Sequence, residues 1–164
     1  MNSFRDLEWF KSAFGKYGED VRDSTDWKAL KGSAIYRKHT GDIQGAIDAM
    51  VKSIDFTKSV PELANESAMN LNFLADLYML GNAFEKAETT LRESIALARP
   101  NFPVLLADNL LGLGAILSQK GCYVNALVSA EEALDLYQQQ GLSHGIIQAE
   151  QLIRNINGRP PDNS

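Results

Sequence analysis

Few residues in this chain have the type and spacing that chemistry demands. A metal site needs several His, Cys or acidic ligands at close spacing. The two histidines, His39 and His144, lie far apart, and Cys122 is the single cysteine. The histidines therefore read as surface or structural residues. Cys122, beside Tyr123 after a turn glycine, reads as a buried or half-buried thiol. The stretch GLGAILSQKG holds glycines and a lysine. It sits inside a helical pattern rather than after a strand, so it lacks the context of a phosphate-binding loop. Glu131 and Glu132 read as a solvated helix face. These patterns predict no enzyme, no metal and no cofactor. What remains is a basic face: Lys28, Lys31, Ile35 and Lys38 recur at helical spacing, which places the three lysines together. Such a face suits an anionic partner.

A chain of 164 residues is long enough for one domain with a sizeable core. Its net charge of −5 argues against general nucleic-acid binding, which needs a basic footprint. The charge is unevenly spread. Residues 1–41 carry eight of the 16 basic residues against six acidic ones, whereas residues 59–153 carry four against 11. A lone cysteine allows no internal disulfide and fits a reducing compartment. No apolar run resembles a signal peptide or reaches the ~18 residues of a membrane span. The expectation is a cytoplasmic protein with no membrane and no nucleic acid among its partners.

The elements that must position the lysines emerge from an internal repeat. YRKHTGDIQGAIDAMVKSIDF, LYMLGNAFEKAETTLRESIAL and the segment from Leu111 to Leu134 align on Gly41, Asn82 and Gly121, with spacings of 41 and 39 residues. Five residues further stand Ala46, Ala87 and Ala126; later come Ser53, Ser94 and Ala133. Upstream, Ala34, Ala75 and Gly114 align, as do Leu30, Leu71 and Leu110. Gly114 costs a helix interior about 1 kcal/mol relative to alanine. Facing Ala126 across a helical hairpin, it offsets that cost by close packing. The turn residues Gly, Asn and Gly tolerate the left-handed conformation that ends a helix.

These columns of small residues and turns resemble the tetratricopeptide repeat (TPR) family over residues 27–140. The period is near 40 rather than the usual ~34, as in the repeats of kinesin light chains and some bacterial peptide sensors. Repeat 1 departs most: Ser33 stands where the others have Leu74 and Leu113, and Arg37 where repeat 2 has Tyr78. The resemblance implies an all-α, right-handed superhelical solenoid of three hairpins with capping helices at both ends. An amphipathic helix is expected near residues 3–17, with Phe4, Leu7, Phe10, Phe14 and Tyr17 on one stripe. Hairpin helices follow near 26–40 and 43–58, 62–80 and 84–98, and 103–120 and 123–140. Pro61, Pro100 and Pro103 mark the linkers. A last helix near 143–156 acts as a cap. One domain then spans residues 1–157, with 1–24 as N-terminal helix and linker and 158–164 as a disordered tail.

In TPR proteins the first helix of each hairpin lines a concave groove. The resemblance therefore implies partner-binding positions at Lys28, Lys31, Ile35 and Lys38 in repeat 1. It implies Met69, Asn72, Asp76 and Met79 in repeat 2, and Asp108, Leu111 and Ala115 in repeat 3. Asn72 matches an asparagine that longer-period members use to hydrogen-bond a peptide backbone. Of the carboxylate clamp that holds acidic chaperone tails, Lys31 matches one lysine. Ile35, Asp108 and Gly112 break the rest, which argues against such tails. The expected function is a non-enzymatic protein-interaction module for a peptide or helix with an acidic end, as a monomer or homodimer. Two alternatives stand beside it. One is a cytosolic chaperone for secreted effectors of the type III class; the other is a self-assembly unit or sensor fragment of a larger regulator.

Overall fold

A computed structural model describes residues 26–98 and 101–158. The helix expected near 3–17 and the tail beyond Gly158 lie outside the described residues. Seven α-helices and one 3-10 turn make up the described part, with no strand among those residues. They are α1 (Trp27–Thr40), α2 (Ile43–Lys58), a 3-10 turn (Pro61–Leu63), α3 (Ala64–Leu80), α4 (Phe84–Ala98), α5 (Pro103–Gln119), α6 (Tyr123–Gln139) and α7 (Ser143–Asn157). The chain divides into two compact units, residues 1–83 and 84–164.

Four helix ends share one turn. Gly41, Asn82, Gly121 and Gly141 all have positive φ, at 86°, 55°, 82° and 67°. The following N–H reaches back to a carbonyl five residues earlier: Asp42 to Arg37, Ala83 to Tyr78, Cys122 to Leu117 and Leu142 to Tyr137, at 2.8–3.0 Å. This is the Schellman arrangement, which satisfies carbonyls that the helix end would leave unpaired. The first three turns are those of the sequence repeat; Gly141 adds a fourth, joining α6 to α7. The prolines act differently. Pro61 opens the 3-10 turn ahead of α3, so that helix begins two residues later than its periodicity suggests. Pro103 is the first residue of α5, where that helix was expected to begin, a position where its missing N–H costs nothing.

In the first unit, α1 packs on α2 and α2 on α3. Ala34 and Ala46 are both fully buried, as the small-residue columns require, and Met50 beside them is fully buried too. Removing a side chain of that size from water stabilises the fold by about 1.5–3 kcal/mol. Asp26 and Asp42 cap α1 and α2 by accepting from the N–H groups of Lys28 and Gly45, each at 2.9 Å. In the second unit, α5 packs against α4 and α6, and α7 closes on α6. A Cβ on Gly114 would lie 3.0 Å from the Ala126 carbonyl oxygen and 3.3 Å from Leu152 Cδ2. The close approach expected of Gly114 and Ala126 is therefore present, and Leu152 of α7 fills the same notch.

Candidate partner-binding surfaces

The basic face of α1 meets α3. Lys38 Nζ sits 4.8 Å from the ring centroid of Phe73, and Lys28 Nζ lies 5.5 Å from that of Trp27. Contacts of this kind are worth roughly 0.5–1 kcal/mol when exposed. Lys31 is half-buried; burial holds its ammonium below the usual lysine range, and the charge of Glu66 on α3 opposes that shift. Lys28 is thus exposed to solvent, while Lys31 and Lys38 are partly committed to α3. Among the other expected positions here, Ile35, Asn72 and Met79 are half-buried and Asp76 is exposed. Met69 and Leu80 are 44 % and 56 % exposed. With Phe73 and Asp76 they form a stripe at helical spacing along α3, apolar except for Asp76.

Repeat 1 also holds an open cavity of about 660 Å³ between α1 and α2. Leu30, Ser33 and Arg37 line it from α1, and Gly45, Ala49 and Lys52 from α2. Arg37 donates through Nε to Ser33 Oγ at 3.3 Å and pairs with Asp42. The two residues that set repeat 1 apart in sequence therefore satisfy each other.

In the second unit the expected positions fall on α5. Leu111 and Ala115 are half-buried, and Asp108 is exposed. Asp108 accepts a 2.6 Å hydrogen bond from the Tyr137 hydroxyl. Burial and then this bond push the hydroxyl above the usual tyrosine range. Gly145 of α7 makes the arrangement possible, because a Cβ there would fall 2.3 Å from Tyr137 Cδ1. Sequence reasoning missed this pair. Its signal was a break in a column: Tyr137 stands where repeats 1 and 2 have Thr57 and Ala98. Nearby, Glu88 of α4 binds both Arg92 at 2.9 Å and Lys120 at 2.7 Å. Those bonds, that from Lys120 foremost, hold its carboxyl below the usual glutamate range.

The residues first considered for chemistry are dispersed. His39 and His144 are exposed. Cys122 is exposed as well, which corrects the expectation of a buried thiol. It precedes α6 at the cap position, off the buried stripe of Ala126, Ala130 and Ala133. Among the described residues no three His, Cys, Asp or Glu side chains form a group able to hold a metal ion. No described helix is long and apolar enough to cross a membrane.

No protein-family model and no curated protein matches the sequence. Solved structures do match its fold. The apo form of RapI superposes with a TM-score of 0.79 at 12 % identity, covering 92 % of this chain and 44 % of RapI. Aspartyl phosphate phosphatase F from Bacillus subtilis gives 0.76 at 15 %, covering 92 % and 40 %. MamA gives 0.63 at 18 %, covering 93 % and 90 %. The chain spans less than half the length of the first two proteins. The fold is all-α and of the TPR-like helical-repeat type.

Proposed function

We propose that this TPR-like chain is a non-enzymatic interaction module that holds a peptide or helix of a partner protein against α1 and α3. One observation carries the reading: the apolar residues Met69 and Leu80 are 44 % and 56 % exposed on α3, beside the lysine face of α1. A soluble protein leaves such a stripe open at little benefit unless something covers it. Methionine adapts to ligands of different shape, and Lys28, Lys31 and Lys38 favour acidic residues at one end. Asn72 supplies a side-chain amide able to pair with a ligand backbone. Ile35, Asp76 and Met79 complete this patch, while Asp108, Leu111 and Ala115 of α5 remain candidate positions of the second unit by themselves.

The test is calorimetric titration of the native partner segment at two salt concentrations, against variants on two surfaces. Met69→Asp should weaken binding at both salts. Lys28→Glu should weaken it mainly at low salt, by the ~0.2–1 kcal/mol of an exposed pair. Val128, 58 % exposed on α6, is the control. Should Val128→Asp abolish binding while Met69→Asp leaves it intact, the α1–α3 surface is not the site.

A second reading, a sensor fragment of a larger regulator, draws on one comparison. Nearly the whole chain matches less than half of RapI and of aspartyl phosphate phosphatase F. In that reading the same surface serves a neighbouring domain. The mass of the native protein in cell extract distinguishes the two.

A further inference from the structure

We propose that Asp108 of α5 anchors the guanidinium of an arginine carried by a partner protein, and that Tyr137 of α6 positions it. The site lies wholly within the second unit and is separate from the α1–α3 surface. Tyr137 is 3 % exposed, and its hydroxyl reaches out of the core to Asp108 at 2.6 Å. Room for the ring comes from Gly145 of α7, where a Cβ would fall 2.3–2.6 Å from three ring carbons. One repeat earlier, 39 residues before each, the same two columns hold Ala98 and Leu106, both buried. There the large residue and the small one have changed places, and an aliphatic pair fills the seam. Filling space therefore does not require Tyr137. What the exchange adds is a hydroxyl aimed at one carboxylate.

That carboxylate keeps its charge. A neutral phenol orients Asp108 without cancelling it, whereas a lysine or arginine would neutralise it. Burial and the bond to Asp108 hold the hydroxyl above the usual tyrosine range, so it stays a donor at neutral pH. Asp108 itself is exposed, and among the described residues it takes part in no ion pair. Three bases of the unit are engaged elsewhere: Arg92 and Lys120 with Glu88, and Arg154 with Glu150. The Tyr137 bond occupies one lone pair of Oδ1; the others, on both oxygens, remain for a donor. A planar guanidinium fork spans two carboxylate oxygens, which makes arginine the cation of best fit. Its aliphatic stem has apolar surface to lie on. Val104, 41 % exposed, and Leu111 share the face of Asp108 at helical spacing. On α7 the buried Gly145, Ala149 and Ile156 match Leu106, Leu110 and Leu117 at the 39-residue interval, which puts Ile147, 58 % exposed, in the column of Asp108. One acceptor among apolar side chains favours a lone arginine between apolar residues, the opposite polarity to the lysine face of α1.

The test is a titration of the full chain, followed by methyl NMR, with a blocked pentapeptide of one arginine among leucines. Its counterpart carries citrulline, a neutral isostere of arginine. The arginine peptide should shift the Val104, Leu111 and Ile147 methyls saturably and bind at least about fivefold more tightly than the citrulline peptide. Asp108→Asn should bring the two affinities together. Met69→Asp, on the α1–α3 surface, should leave their ratio unchanged, so the two sites stand or fall separately. Tyr137→Phe retains the ring and the carboxylate and removes only the orienting bond. It should reduce the ratio at least about twofold, because the anchor is no longer held in place. A purely structural Tyr137 would lower Tm and leave the ratio alone. Equal binding of the two peptides, a ratio that survives Asp108→Asn, a ratio lost in Met69→Asp, or no shift at millimolar peptide would overturn the anchor. A ratio unchanged or raised by Tyr137→Phe would overturn the positioning role.

Discussion

Asn109 Nδ2 donates to Ser94 Oγ at 2.7 Å inside the seam between α4 and α5, where both residues are fully buried. Asn70 and Ser53 repeat the bond between α2 and α3 at 3.1 Å, and the Ser53 hydroxyl donates in turn to the Trp27 carbonyl at 2.9 Å. In the repeat alignment Ser53 and Ser94 stand in a column of small residues. They also carry the polar register between successive helices, because a shifted pairing would strand a buried amide. Removing one partner should cost more than the bond contributes. Ser94→Ala is expected to lower unfolding free energy by about 1–3 kcal/mol. Urea unfolding measures it, and a change below ~0.5 kcal/mol would show that the seam does not depend on this bond.

Gly114 lies under the Ala126 carbonyl and the Leu152 methyl at 3.0 and 3.3 Å from where a Cβ would stand. The carbonyl cannot retreat freely, since it belongs to the α6 backbone. Gly114→Leu should therefore cost about 1–3 kcal/mol or more by overpacking. Thermal melts check this; an unchanged Tm would mean that α5 and α6 do not cross where the structure puts them.

Glu88 has a folded pKa below its unfolded value, held there first by Lys120 and then by Arg92. A depressed carboxyl contributes stability above the unfolded pKa, ~4.3 for glutamate. That contribution is lost as pH falls through the lower folded value. Glu88→Gln should therefore reduce Tm at neutral pH and flatten the loss of Tm on acidification. Tm measured from pH 7 down to pH 3 tests the sign, and parallel curves for the two proteins would refute it.

Lys31 carries the opposite relationship for a base. Its folded pKa lies below the unfolded lysine value because burial outweighs the attraction of Glu66. At neutral pH the charged form is therefore disfavoured by folding, and stability rises as pH climbs through the folded pKa toward the unfolded one. Lys31→Met should leave Tm equal or higher at pH 7 while weakening partner affinity, the pattern expected when stability is given up for binding. A lower Tm combined with intact affinity would make Lys31 a structural residue instead.

Much of the fold was legible along the chain because a repeat states each constraint several times. Ala34 opposite Ala46, and Gly114 opposite Ala126, require close helix pairs whatever surrounds them. The turn residues Gly41, Asn82 and Gly121 require positive φ, and all three have it. Local sequence also set helix type and the shared face of Lys28, Lys31 and Lys38. The Leu152 methyl over Gly114 had no such signal, and the Tyr137–Asp108 bond only a break in a column at Tyr137 that does not name its partner. They join residues 29 and 38 positions apart that occur once, so no periodicity announces them. Exposure was equally hidden. Cys122 is exposed and Lys31 half-buried, the reverse of what residue type suggests, because exposure depends on which neighbouring helix arrives overhead. Spacing along one helix says which residues share a face; only tertiary packing decides whether that face meets water, Glu66 or the ring of Phe73.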